Sequence, residues 1–523
     1  MNKLNEYNIP YDESEDDYIT YCPFRNKIVN GEQMATFHIN KKNYMGNCND
    51  CGQTTEDIDS FLKASGIKIE EEKVTGKKEK DVEKIELLLP VERIKKLDKP
   101  EKETSFKEWQ EVIKSNFPDL LFSAEVGLSI MAQILIKDIT NPFALVLVDV
   151  PSAGKTIAVN FFADIKELSY ATDRFTPASF VSNASNVKKE DLKKIDLLPK
   201  LQYKMFIIRD LATLFSKRDD DLSECLGILT RVLDGEGLNT DSGVHGQREY
   251  SGEYLFMILA ASTPIPGKVW KVMGGLGSRL FFLSLNSKDK SENELASQLK
   301  KTAYKEKEKM CRKSTTDFLK TLWNQYPEGI IWNKEKEDDD ILLIISKCAK
   351  LLAKLRGVIN VWSEGSPIIG FESKSYNHTM PLIEKPDRIN QLFYNISRGH
   401  ALVNERTQIN SDDLKLVVEL TIDSAPTIRA KLFRKLIEYN GTMTTTEVEE
   451  EMNCSKPTAL TEMEKLEILG VCYISKDIQA KAGGIENQIN LAKEFIWFLS
   501  DECKKVRNLE VEPKQSTMSD LLN

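Results

Sequence analysis

The run Ala144-Leu-Val-Leu-Val148, followed at once by Asp149-Val-Pro-Ser-Ala-Gly-Lys-Thr156, constrains this chain more than any other feature. An apolar run with no polar interruption reads as a strand buried on both faces, the signature of the interior of a parallel sheet. Residues 157–168 then read as a helix. Strand, Gly-Lys-Thr loop and helix are the three parts that a phosphate-binding loop requires. In such a loop Gly154 lets the backbone wrap a phosphate, and successive N–H groups from Ser152 and Ala153 onward point at its oxygens. Lys155 neutralises charge on the β- and γ-phosphates, and the Thr156 hydroxyl ligates Mg2+. Asp149 departs from the pattern. It stands where the first glycine is expected, and a carboxylate there has to point away from a triphosphate. The alternative is a strand–turn–helix junction that happens to contain Gly-Lys-Thr.

Two further apolar runs, Met205-Phe-Ile-Ile208 and Tyr254-Leu-Phe-Met-Ile-Leu-Ala-Ala261, extend the same sheet. With the helical patterns between them they predict an α/β domain over residues 106–285. The first run leads into Asp210, a second carboxylate for magnesium at a neighbouring strand end. The second leads into Thr263, placed to contact a γ-phosphate or position water, or else an ordinary strand terminus. Arg279 sits between the Gly-rich turn Met273-Gly-Gly-Leu-Gly and the apolar run Leu280-Phe-Phe-Leu283. Its two readings are a surface arginine capping the preceding helix and an arginine that leaves its own subunit for a neighbour's nucleotide.

The order of these motifs resembles the AAA+ ATPases of the MCM-like helicase group, particularly the versions carried by mobile elements. The resemblance covers residues 106–425. It rests on Pro151-Ser-Ala-Gly-Lys-Thr156, Ile208-Arg-Asp-Leu-Ala-Thr213, Val232-Leu-Asp-Gly-Glu236, Ala260-Ala-Ser-Thr-Pro264, Met273-Gly-Gly-Leu-Gly-Ser-Arg-Leu280 and Pro386-Asp-Arg-Ile-Asn-Gln-Leu392. It implies a helical lid over 286–425 whose Arg388 contacts the γ-phosphate. It also implies Arg279 as the arginine offered to a neighbour in a homo-hexameric ring. Leu211 departs from the family, which has glutamate there to polarise the attacking water, so the catalytic base is unassigned among Glu224, Asp234 and Glu236. Between the second and third runs, 238–253 reads as a hairpin around Gly243 and Gly246. The resemblance implies that it faces the ring's pore, where Gln247 and Arg248 touch DNA phosphates and His245 stacks or donates. An exposed surface loop is the alternative.

Toward the N-terminus, Tyr21-Cys-Pro-Phe-Arg25, Ala35-Thr-Phe-His-Ile-Asn40 and Cys48-Asn-Asp-Cys-Gly52 gather three of the chain's nine cysteines. Cys48-x-x-Cys51 with Cys22 suits a tetrahedral Zn2+. The segment resembles the CHC-type zinc-binding domain of DNA primases, a small β-ribbon, with Arg25 where that family has its histidine. His38 is then the candidate fourth ligand, against a plain strand histidine. The metal's role would be structural, because so small a unit cannot bury enough core alone. Aromatic Phe24, Phe37 and Tyr44 and the pair Lys41-Lys42 serve either as its core or as a surface for single-stranded DNA.

The remaining segments are an acidic leader within 1–66, a charged linker over 67–105 rich in Lys and Glu, and a tail over 501–523. Helix-length stretches at 431–439, 446–452 and 456–469, followed by a hairpin, make 426–500 resemble a winged helix. Its recognition-position helix carries two lysines against Glu462, Glu464 and Glu467, which disfavours a strong DNA reader. The whole chain has 72 Lys+Arg against 81 Asp+Glu, a net charge of −9. That excludes a protein that coats nucleic acid but not a ring that holds it with a few pore-lining basic residues. The N-terminus lacks an apolar signal segment, and the expectation is a cytoplasmic protein without a membrane partner.

The expected fold class is multidomain: a zinc β-ribbon, a P-loop AAA+ α/β domain with helical lid, and a winged helix-turn-helix. The expected function is an ATP-dependent DNA translocase or helicase in replication. It would use ATP, Mg2+ and Zn2+ on single-stranded or forked DNA, alongside partners such as primase or polymerase. The rivals are a primase or primase–helicase, and a nucleotide-gated loader that binds DNA and barely hydrolyses ATP.

Overall fold

The structure is a computed structural model. It describes residues 11–13, 17–21, 28–29, 32–33, 35–40, 46–49 and 54–55, and all of 92–507 except 278, 286–288, 300–303, 366–373 and 480–484. The chain forms two compact units, Met1–Leu87 and Leu88–Asn523.

The first unit is built on short strands: β1 (Tyr11–Glu13), β2 (Asp17–Tyr21), β3 (Ile28–Val29), β4 (Glu32–Gln33), β5 (Ala35–Asn40), β6 (Gly46–Cys48) and β7 (Thr54–Thr55). Five of them make an antiparallel sheet in the order β1-β2-β5-β6-β7, and β3 pairs with β4. Residues directly opposite in a sheet share a face. Thr20, Phe37 and Cys48 lie in one such row and are all buried. Ile19, His38 and Asn47 form the next row, on the other face.

In the second unit a parallel sheet runs in the order β14 (Leu280–Ser284), β8 (Ala144–Val148), β13 (Met257–Ser262), β10 (Met205–Ile208), β9 (Ser169–Thr172). Alternate side chains enter two different cores. Leu145, Leu147, Ile207 and Leu259 pack with the helices Leu121–Ala132 and Lys155–Asn160. Val146, Phe206, Ile258 and Ala260 pack with the helices Asp219–Val232 and Gly267–Leu276. Burial on both faces is why these strands read as unbroken apolar runs. The helix expected over 157–168 instead starts at Lys155 and ends at Asn160, after which Phe161 and Phe162 are both sunk into the first core. Between β10 and β13 the expected hairpin is present, as β11 (Gly237–Ser242) and β12 (Gly246–Ser251).

The segment 286–425 is mainly helical: Tyr304–Gln325, Asp339–Leu355, Asp387–Val403 and Leu414–Asp423 are its longer helices, with a hairpin of β15 (Val361–Gly365) and β16 (Lys374–His378). The helices Thr427–Glu438, Thr445–Met452 and Lys456–Ile468 then meet a sheet of β17 (Thr442–Thr444), β19 (Ile485–Leu491) and β18 (Cys472–Gln479) in that order. Leu432, Phe433, Met463 and Leu466 from this last part belong to the same continuous core as Leu352, Leu416 and Phe393, so no gap in packing separates it from the helices before it.

The linker expectation fails over residues 92–105. Arg93 donates from Nε and Nη2 to the carbonyls of Ile134, Ile136 and Ile139 at 2.6–3.0 Å and from Nη1 to Glu253 at 3.1 Å. Carbonyls past the end of a helical segment have few intrahelical partners, and a guanidinium supplies several donors at once. Ser105 and Glu108 then form a reciprocal cap on the helix Phe106–Asn116. Charge had disguised a strap as a spacer. The stretch Pro118–Leu135 is long and apolar enough to cross a membrane, and most of it is buried within the fold.

A buried polar cluster joins the helices Leu121–Ala132 and Asp387–Val403. His400 bonds Asp413 at 2.5 Å through Nδ1 and Glu125 at 2.8 Å through Nε2, and Arg406 holds Asp413 at 2.7 Å. Burial alone would push the His400 imidazole down; the bonds to Asp413 and Glu125 overcome it and raise it from 6.5 to about 9. Its folded value lies above its unfolded one, so its contribution is complete below pH 6.5 and is lost as pH rises through about 9. The contribution is on the order of 3 kcal/mol. We expect Tm to fall across that interval and His400→Gln to flatten the fall, as differential scanning fluorimetry would record.

Candidate nucleotide site

Three strand ends meet at one edge of the parallel sheet. The N–H of Asp149 donates to the Ser262 carbonyl at 3.4 Å and that of Leu211 to the Ala261 carbonyl at 2.8 Å, tying β8, β13 and β10 together where the loop begins. Ser152 and Gly154 both adopt positive φ, 68° and 92°. The left-handed φ at Gly154 favours glycine, and a Cβ built there would also stand close to the Leu120 side chain, at 3.2 Å. Ser152 and Thr156 are exposed, with Ala153 and Gly154 half-buried between them. The loop therefore presents backbone and hydroxyl groups outward.

Lys155 is folded into this loop. Its Nζ donates to the carbonyls of Asp149 and Val150 at 2.7 and 2.5 Å. Burial lowers its pKa, and the nearby carboxylates of Asp149 and Asp210 oppose that. Asp210 is thus on the loop's side of the sheet and exposed, its carboxylate accepting the Ala212 N–H at 2.8 Å. The Asp149 carboxylate turns back on its own loop, accepting the Val150 N–H at 2.7 Å. Thr263 is half-buried at the end of β13, next in the sheet to both β8 and β10. Thr156 and Asp210 are the residues that would hold Mg2+ beside a triphosphate. Leu211 is buried in the second core, so its side chain is turned away from the exposed Asp210 beside it.

Arg279 lies at the other edge. It precedes Leu280, which is level with Ala144 at the start of β8, whereas the loop follows Val148. The five-residue β8 separates the two by roughly 16 Å. Arg279 is buried and donates from Nε to Asp234 at 2.8 Å and from Nη1 to the Gly277 carbonyl at 2.8 Å. Arg388 reaches the same Asp234 carboxylate at 3.7 Å, and Arg231 reaches Asp234 and Glu236 at 3.4 and 3.0 Å. Gly235 fixes this group at the same edge, since a Cβ there would stand 2.5 Å from the carbonyl of Thr140, ahead of β8. Arg388 lies beside Arg279 at Asp234, away from its own chain's phosphate loop. One expectation changes. Asp234 and Glu236 are arginine partners, not bases for that loop, and Glu224 is an exposed residue of the helix Asp219–Val232 leading to them. Glu384, absent from the sequence expectations, lies among Arg279, Arg356 and Arg388; burial raises its pKa and those guanidiniums oppose the shift.

The hairpin residues also part company. Arg248 is buried and forms an ion pair with Asp196, itself fully buried, while donating to the Ser182 carbonyl. Asp196 further accepts from Tyr250 Oη at 2.5 Å and from the Ser182 N–H at 2.7 Å. Arg248 is therefore not a phosphate contact; it braces the hairpin against residues 182–196. His245 bonds the Ala184 carbonyl at 3.0 Å through Nε2, and Gln247 remains exposed. The sequence signal that could have revealed Asp196 is a lone carboxylate inside the apolar run Ile195-Asp-Leu-Leu198.

In the first unit, Cys48 and His38 occupy adjacent registers of β6 and β5 and so opposite faces, Cys48 beside buried Phe37 and His38 beside Asn47. His38 does not fit one tetrahedral site with Cys48. Cys22 and Cys51 lie outside the described residues, and among the described residues no group of three metal-binding side chains comes together. No protein-family model matches this chain, and no curated protein matches its sequence.

Proposed function

We propose that the chain is an ATP-driven DNA translocase or helicase that works as a ring, each subunit's P-loop completed by its neighbour's arginines. One observation carries this reading. The groups suited to a triphosphate are divided between opposite edges of one sheet, with Ser152–Thr156, Asp210 and Thr263 at one edge and Arg279 with Arg388 at the other. Two arginines around one carboxylate can serve no phosphate on their own loop. In a head-to-tail assembly that closes on itself they face the next subunit's loop, where a γ-phosphate would compete with Asp234 for them. Such competition gives each subunit an arginine that is held until a neighbour binds nucleotide.

DNA is the proposed track, with ATP turnover moving the β11–β12 hairpin that carries Gln247 and His245. The three helices and small sheet of 427–491 are proposed as a winged helix. Its first helix lies near the phosphate loop, since Arg434 and Lys431 share a cavity of about 330 Å3 with Asp149 and Val150. A zinc ion held by the thiolates of Cys22, Cys48 and Cys51 remains a sequence-based part of the proposal, and no step depends on it. The buried Leu211 favours one alternative, a nucleotide-gated DNA loader with little hydrolysis. Steady-state ATPase assays with and without single-stranded DNA separate the two: a motor's turnover rises severalfold with DNA, whereas a loader binds both ligands and stays near its basal rate.

A further inference from the structure

We infer that a cavity beside the edge strand β9 receives an unpaired base of single-stranded nucleic acid. This rests on the DNA-motor reading and adds a site to it. The cavity measures about 460 Å3 and opens between β9 and the segment 174–197. Its floor is Phe206, fully buried, with Phe175 packed edge-on at 5.1 Å and Tyr170 tilted at 6.1 Å. Tyr170 and Phe175 are only half-buried, so aromatic surface is open to the cavity. Ile195, 44% exposed, also lines it, together with Thr172, Thr176, Ser179 and Leu197.

Charge selects the occupant. Arg174 lines the cavity, and the helix that ends in Ile195 carries Lys193 and Lys194, with Lys188 at its N-cap. All four are exposed. Lys194 pairs with Asp191 at 3.2 Å, while Arg174, Lys188 and Lys193 have no carboxylate partner among the described residues. Open aromatic surface beside Arg174, with the lysines on the adjoining helix, is the pairing that holds a base by its face and the backbone by its phosphates. An apolar peptide would use the rings but not the cations. The wall is held in place from behind, because Asp196, next to Ile195, is clamped by Arg248 and Tyr250 of β12. The pocket is thus braced by the hairpin already proposed to move along DNA.

The test measures full-length protein binding to oligothymidylate and to an abasic strand of equal length, by fluorescence anisotropy. Wild type should prefer the base-bearing strand by about tenfold. Tyr170→Leu should erase that preference and leave abasic binding unchanged. Arg174→Gln, at an exposed position, should weaken both strands and reduce the salt slope by about one. Equal wild-type affinity for the two strands overturns the inference, as does a Tyr170→Leu protein that keeps the preference. If Tyr170→Leu alters sedimentation but not base preference, the cavity faces a second copy of the chain and the inference is wrong. Failure of wild type to bind either strand would instead sink the DNA-motor reading, and this site with it.

Discussion

Arg279→Ala should lower ATP turnover by about a thousandfold or more while leaving nucleotide affinity nearly intact. Its guanidinium is held by Asp234 roughly a strand's length from the phosphate loop of its own chain, so its removal takes nothing from ground-state binding there. Lys155→Ala should differ in kind, weakening nucleotide binding itself, because its ammonium is the cation inside the loop. Arg388→Ala should likewise lower turnover more than affinity, since Arg388 reaches the same Asp234 carboxylate as Arg279, at 3.7 Å, away from its own phosphate loop. Turnover and equilibrium binding of a fluorescent nucleotide, measured on all three, distinguish these outcomes. Unchanged hydrolysis in Arg279→Ala would mean that the Arg279–Asp234 pair merely joins helix to sheet.

The second large effect concerns stability. Asp196→Ala should destabilise the second unit by about 3–5 kcal/mol, the range for removing one partner of a buried ion pair. Asp196 is fully buried and answers Arg248, Tyr250 and the Ser182 N–H, so its loss strands a guanidinium, a hydroxyl and an amide together. Asp196→Leu combined with Arg248→Met should recover much of the loss, because an apolar pair of similar volume leaves no orphaned charge. Thermal unfolding would show the ordering, and hydrogen exchange should place the excess opening at 182–196 and 237–251. If Asp196→Ala unfolds like wild type, the hairpin is not braced as described.

Much of the core was legible because burial on both faces leaves an unmistakable mark. The strands at 144–148 and 205–208 lie where their apolar runs stand, and the hairpin lies about its glycines. What misled was charge read without its partner. Arg248 in a hairpin looks like a hand for phosphate, and only the distant Asp196 shows it to be internal. Residues 92–105 look like a solvated spacer, and only the carbonyls of 134–139 show why Arg93 is there. Arg388 was expected at a γ-phosphate, but its place beside Asp234 and Arg279 depends on how the helix Asp387–Val403 is docked. His38 failed for a subtler reason: the period-two alternation of β5 turns it from Cys48, and register is set by pairing that no single strand encodes.

The central claim is that the active site is shared between subunits. The most direct test mixes Lys155→Ala, which keeps its arginines, with Arg279→Ala, which keeps its phosphate loop, each being nearly inactive alone. If the arginines act across the interface, random mixed rings pair an intact loop with an intact arginine at about a quarter of their sites, and ATPase activity should return toward that fraction of wild type. A mixture no more active than the sum of its two components would contradict the account.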